Sequence, residues 1–368
     1  MPGWTSIFLA LGVVASTAPA ADPPPPAWDG VWSGTVGSAP VRLCLDGDPN
    51  WSHGSYYYLS SMTPIPLNRN KERWLEGHDD GKARPSLQFD KIAQSRIEGR
   101  WVGGAKSLPV TLVRVAIRAS KEDMGPCGSP EYIQPRLGPT RIVATPGKLG
   151  ATAYRKLALV VPASFKNVSV ESFALAGSSP AIARINRALA APLTAKSASE
   201  GWQSCMQSNL SSMGDDGDYS ESLSPTLVDR RYLSVTHHND GSCGGAHPYS
   251  DNVSNTYDLA SGAEIDLNDW LTARAIKRDR YDNTSEEAKT VTPAFRKFIL
   301  AGWKAEQAEC REGIERADFW DIALTRTGFG FTPSLAHVEQ ACTETIAVPF
   351  TRLQPWLSAT GKAGLVGR

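Results

Sequence analysis

The sequence predicts an α+β protein in which an N-terminal all-β domain is followed by a mixed α+β domain. Three observations carry this. Short strand-like runs between turn residues recur through residues 27–118 with little helical periodicity. A stretch at 119–150, with Pro126, Pro130, Pro135, Pro139 and Pro146 interleaved with glycines, interrupts them and is expected to be an irregular connector. Beyond it, through 151–357, strand-like runs mix with helices that carry an apolar face. A chain of 368 residues is long enough for two such domains.

In the first domain Val41-Arg42-Leu43-Cys44-Leu45 alternates, with Val41, Leu43 and Leu45 on one face. Ser55 to Leu59 is aromatic and strand-prone, and Ser86 to Phe89, Arg96 to Trp101 and Val110 to Ile117 continue the series. The last run is expected to place Val113, Val115 and Ile117 together on a face. The spacing fits a small barrel or a sandwich. Trp28-Asp29-Gly30-Val31-Trp32-Ser33-Gly34 and Gly99-Arg100-Trp101 put large rings beside glycines, which suits aromatic plugs of a β core better than ligand stacking.

In the second domain Leu157 to Val161 and Phe165 to Phe173 are predicted strands. Ser179-Pro180 opens a helix as N-cap and first residue, with Ile182, Ile185 and Leu189 at helical spacing. Tyr219 to Thr236 is a strand pair, and Asn255 to Ile265 is strand–turn–strand. Asn268 or Asp269 is expected to cap a helix through Trp270 and Leu271. Thr292-Pro293 opens another, with Phe295, Phe298, Ile299 and Trp303 on its face. Strands around Trp320 to Leu324, Phe329 to Phe331 and Ile346 to Phe350 complete the chain. Gly214-Asp215-Asp216-Gly217-Asp218 lacks the twelve-residue calcium-loop pattern and is read as a solvated hairpin tip. Arg274, Lys277, Arg278 and Arg280, diluted by Asp279 and Asp282, are read as a solvated helix face.

Residues 1–20 resemble an export signal: an apolar run from Ile7 to Ala15 precedes Ala18-Pro19-Ala20, the small-residue pattern of a signal-peptidase site. Pro23 to Pro26 then form a stiff spacer. No segment is long and apolar enough to span a bilayer, so a periplasmic or secreted protein is expected. Six cysteines agree with that address: Cys44, Cys127, Cys205, Cys243, Cys310 and Cys342 read as three disulfides. The sequence alone does not choose among their pairings. Their distribution, two up to the connector and four after it, favours consecutive pairs. No C-x2-C spacing supports zinc.

Lys plus Arg and Asp plus Glu both number 38, which argues against a nucleic-acid binder. Neither G-x-S-x-G nor G-x-x-x-x-G-K-[ST] nor G-x-G-x-x-G occurs. His237, His238 and His247 are the single histidine cluster, and neighbours on a strand point to opposite faces, so no metal site and no cofactor is expected.

The most distinctive segment is Ser234 to Pro248, containing Cys243-Gly244-Gly245-Ala246-His247-Pro248. It is followed by Asp258-Leu259-Ala260-Ser261-Gly262 and, later, by Val348-Pro349-Phe350-Thr351-Arg352-Leu353. This order resembles the C-terminal module of RsiV-type anti-sigma proteins, a domain type also found in some peptidoglycan deacetylases. The likeness covers about 180–357, and the helix with Ile185-Asn186 is similar to one preceding that module. The resemblance implies an exported, non-catalytic binding protein whose partner is a lysozyme-type protein, another cell-wall-active protein, or peptidoglycan and the envelope itself. Candidate binding residues are His237, His238, Gly244, Gly245, His247 and Tyr249. Gly244 and Gly245 permit positive φ, and Pro248 holds His247 extended. The ring of His247 is expected to bond a backbone carbonyl and lock the turn. Two alternatives stand beside this reading: a cell-wall or glycan hydrolase using carboxylates or His247, and a structural envelope protein.

Overall fold

A computed structural model describes residues 25–48, 52–78, 82–115, 124–194, 201–280, 287–304 and 307–366. The expected export signal and cleavage site, Pro23 and Pro24 of the proline spacer, Ile117 and Asp282 lie outside the described residues.

Eight antiparallel strands open the fold: β1 (Gly30–Val36), β2 (Ala39–Asp46), β3 (His53–Tyr58), β4 (Ile65–Asn70), β5 (Arg73–Glu76), β6 (Ser86–Ile92), β7 (Arg96–Gly103) and β8 (Lys106–Arg114). Each pairs with the next and β8 returns to β1, closing a barrel. Closure brings two backbones very near, and Gly34 is where this happens: a Cβ there would lie 1.9 Å from the Thr111 carbonyl oxygen. The interior is filled by Trp32, Val41, Leu43, Leu45, Tyr56 and Leu112. Trp28 packs edge-on against Trp74 at 5.0 Å, and Arg114 lies 4.2 Å over the Trp32 ring. Trp28 and Trp32 are plugs, as their glycine-rich surroundings predict.

Alternation along β2 is as expected, and Val113 and Val115 also share a face, but it is the outer face of the barrel. Val110 and Leu112 point inward, whereas Val113 is 51% exposed. The strand starts at Lys106, and its inward parity is set by pairing with β7 and β1. Barrel residues of the opposite parity form a second, outer cluster. Val31, Cys44 and Tyr57 pack against Cys127, Tyr132, Ile133 and Leu210.

The stretch expected to be an irregular connector is only partly so. A turn at Gly125–Gly128 leads into α1 (Pro130–Ile133). From Arg141 the chain is β9 (Arg141–Leu149), which keeps Pro146 and Gly147 because it is an edge strand. β10 (Thr152–Val160) and β11 (Val168–Leu175) follow. Then come α2 (Pro180–Leu189), α3 (Ala191–Thr194) and α4 (Gly201–Met213). β12 (Asp218–Val228), β13 (Tyr232–Ser242), β14 (Tyr249–Asp258) and β15 (Glu264–Ile265) complete a seven-stranded sheet of order β15-β14-β13-β12-β11-β10-β9. Its one parallel pair is β11–β12, which requires a crossover, and the three helices supply it. Ser179 caps α2 by accepting the Ile182 N–H at 3.2 Å. Ile185 and Leu189 pack on Leu223, Leu233 and Val235 of the sheet. Asn186 bonds both the N–H and the carbonyl of Leu175, at 2.8 and 3.0 Å, finishing the end of β11.

The cap foreseen at Asn268 or Asp269 is Asp266, which accepts the Asn268 N–H and opens a 3-10 turn over Leu267–Trp270. Of the basic run read as a helix face, Lys277, Arg278 and Arg280 lie in a strand and Arg274 in the turn before it. β16 (Ile276–Arg280) pairs with β17 (Glu287–Val291), and Arg278 reaches Asp269 and Glu287. α5 (Pro293–Ile299) is capped by Thr292. α6 (Arg311–Arg316) precedes a three-stranded sheet of β18 (Trp320–Leu324), β19 (Gly328–Pro333) and β20 (Ile346–Pro349), and α7 (Phe350–Leu353) and α8 (Ala359–Gly364) close the chain. Their shared core contains Tyr232, Trp270, Phe295, Phe329, Phe331 and Leu353.

The fold is thus mostly β with some helix, consistent with α+β. Three disulfides link Cys44–Cys127, Cys205–Cys243 and Cys310–Cys342, the consecutive pattern. Among the described residues no helix is long and apolar enough to cross a membrane. Gly214 to Asp218 is not a solvated hairpin tip. It joins α4 to β12 and lies against the barrel: His78 Nε2 is 2.7 Å from Asp215 Oδ2, and a Cβ on Gly214 would lie 2.3 Å from the Gly54 carbonyl oxygen.

Candidate binding site

The loop between β13 and β14, residues 243–248, is the candidate site, and it is braced on two sides. Cys243 is bonded to Cys205 of α4. Gly244 adopts φ +86° in close contact with the same helix, where a Cβ would fall 2.1 Å from Ser212 Oγ. On the other side stands the 3-10 turn His337–Cys342. His337 Nε2 meets the Pro248 carbonyl oxygen, Gln340 Nε2 donates to the Ser250 carbonyl at 2.8 Å, and Cys342 ties the turn to Cys310.

His247 is exposed and stacks on His337, with ring centroids 5.2 Å apart and planes 27° from parallel. The expected lock between a histidine and a carbonyl therefore exists, but the histidine is His337. Pro248 turns the chain so that its own carbonyl faces the neighbouring element. Gly245 is exposed and has no atom within 3.7 Å of a would-be Cβ, so only Gly244 is sterically required.

His237 and His238 point to opposite faces, as alternation requires. His237 Nε2 lies 2.8 Å from Glu221 Oε1 across the strand pair, and Tyr219 donates its hydroxyl to Glu221 Oε2 at 2.6 Å. Burial alone would raise the Glu221 pKa. The hydrogen bonds of His237 and Tyr219 and the His237 charge outweigh it, and the carboxyl is held below its ordinary range. Tyr249 donates to Asn239 Oδ1 at 3.2 Å on this same face, and burial with the nearby Glu221 charge raises its pKa. His238 faces the other way, with Nδ1 3.0 Å from Asn252 Oδ1 and Nε2 2.6 Å from Asp240 Oδ1.

The six candidate residues therefore divide. Gly244, Gly245 and His247 form the loop itself, Tyr249 and His237 belong to a polar patch beside it, and His238 lies behind. Sequence reasoning missed Glu221 and His337. Glu221 meets His237 only through the β12–β13 register, and His337 lies 89 residues from Pro248. No local signal marks either. Among the described residues no three His, Cys, Asp or Glu side chains form a group that could hold a metal ion.

Solved structures similar to this chain include two DUF3298 proteins. One is a DUF3298 family member from Bacteroides fragilis, 12% identical, matched over 62% of this chain and 98% of its own with a TM-score of 0.35. The other is a DUF3298 family protein from Pseudomonas aeruginosa, 17% identical, matched over 61% of this chain and 95% of its own with a TM-score of 0.32. No protein-family model matches the sequence, and no curated protein does.

Proposed function

We propose that this is an exported binding protein that docks a cell-wall-active protein of the lysozyme type through the β13–β14 loop. The observation that carries the reading is the double bracing of an exposed loop. A disulfide and a glycine contact fix it to α4, and His337 and Gln340 fix it to a turn that has a disulfide of its own. A loop held this way loses little conformational entropy on docking. His247 is exposed on it, stacks on a histidine ring and offers a flat polar contact. The Gly-Gly-Ala-His-Pro segment is also what resembles the RsiV-type module, whose partner is lysozyme. Periplasmic or secreted placement belongs to the same reading, and the three disulfides are compatible with it.

Titration of the full exported chain with lysozymes by calorimetry, beside a lysozyme inhibition assay, tests the proposal. Saturable binding weakened by His247→Ala supports it. Absence of binding to every lysozyme type removes the partner.

One specific observation favours a second reading, a glycan hydrolase. Glu221, His237 and Tyr219 form a connected carboxylate–imidazole–phenol group on a partly open face. Turnover of peptidoglycan lost in His237→Ala would support hydrolysis over docking.

A further inference from the structure

A second feature lies on the other side of the sheet. Val235 faces the helices, so Thr236 faces away from them, toward the three-stranded sheet. Between the two sheets is a cleft of about 700 Å³, a size typical of small-ligand sites. Thr226, Thr236, Asn252 and Ser254 line it from the large sheet, Thr332 from the small one and Thr345 from the loop just before β20. Thr332 and Thr345 are 2.7 Å apart through their hydroxyls. Asp321 of β18 joins the walls, its Oδ1 accepting the Ser254 N–H at 2.9 Å. Burial raises its carboxyl above the usual range against the opposing pull of the Ser254 bonds. A smaller depression sharing Asn252, Thr332 and Thr343 extends the cleft toward Gln340.

We propose that this cleft binds a neutral oligosaccharide. Hydroxyl side chains both donate and accept, as sugar hydroxyls do, so a wall rich in them pairs with a sugar in either direction. The Asn252 amide also offers both roles, and Asp321 supplies a strong acceptor. An acidic ligand would meet Asp321 with Asp251 close by. Among the described lining residues Arg326 is the one cation and none is aromatic, so neither a phosphorylated ligand nor a flat cofactor is favoured. The adjoining depression past Asn252, Thr332 and Thr343 adds room beyond a single ring, which suits a chain. This inference uses different side chains from the loop and is independent of the docking reading.

The test is calorimetric titration of the full exported chain with chitotetraose and cellotetraose, beside tetra-alanine and a tetragalacturonate. At least one neutral tetrasaccharide is expected to bind saturably. Asp321→Asn keeps the acceptor for Ser254 and should weaken that binding about tenfold, the cost of one charge-assisted hydrogen bond. Thr236→Arg should block it while leaving any lysozyme binding unchanged, and Thr332→Val serves if that variant does not melt cooperatively. Failure of both neutral sugars to bind the folded wild type would overturn the proposal. So would preferential binding of the peptide or the acidic sugar, or undiminished binding in the variants.

Discussion

Arg136 and Asp216, 80 residues apart, meet as a fork on a fork: Nη1 lies 2.8 Å from Oδ1 and Nη2 bonds Oδ2, with the guanidinium wholly buried. Arg136 also donates from Nε to the Met62 carbonyl beside the barrel and lies 4.5 Å over the Phe165 ring. The pair thus ties the β11–β12 crossover to the barrel and the segment covering it. Removing one partner leaves a charge buried alone, so Arg136→Met should cost about 3–5 kcal/mol in urea unfolding. Burial already raises the Asp216 pKa against the pull of Arg136, and the variant should raise it further. An Arg136→Met, Asp216→Leu double variant is expected to recover much of the loss.

Gly244→Ala should destabilise the chain by about 1–3 kcal/mol, because it combines a positive φ with a clash against α4. Gly245→Ala should be near neutral, its Cβ meeting only the His247 carbonyl oxygen at 3.7 Å. If the loop is the docking surface, lysozyme affinity falls in the first variant and not in the second. Thermal melts and calorimetry on the pair separate the effects.

Glu221 gives a pH prediction. Its folded pKa lies below its ordinary 4.5, so it contributes stability above that value. The contribution is lost as pH falls through 4.5 and then through the lowered folded value. Glu221→Gln should therefore flatten the acid limb of a stability–pH curve below about 4.5. An unchanged limb would show that the His237 contact does not hold the carboxylate.

Cys44→Ala with Cys127→Ala opens a link across 83 residues and uncovers the outer barrel cluster, at an expected cost of about 2–5 kcal/mol. Thiol titration of the denatured protein should find no free thiol before reductant and six after it.

Much of the fold is legible in local pattern. The β2 alternation, the Ser179-Pro180 and Thr292-Pro293 helix starts and the strand–turn–strand at 255–265 need only neighbours in sequence. What escapes is set from a distance. Val113 follows a parity fixed by β1 and β7, not by its own apolar run. α4 hides because its Ser, Gln and Asn residues blur the apolar face that Trp202, Met206 and Leu210 bury. Arg278 sits in a strand through the β16–β17 pairing, where two carboxylates receive it. For the site, the disulfide-pinned turn and the opposite facing of His237 and His238 are readable, whereas Glu221 and His337 arrive through pairing and tertiary packing. The hydroxyl cleft has no local motif, since its walls come from two sheets.

The three disulfides span 83, 38 and 32 residues and none overlaps another along the chain. A polypeptide threaded N-terminus first into an oxidising compartment presents each cysteine with its native partner as the next to arrive. Oxidation in order of emergence then produces only correct bonds, and no reshuffling step has to follow. Biogenesis of this chain should accordingly proceed with a simple thiol oxidase and without a disulfide isomerase.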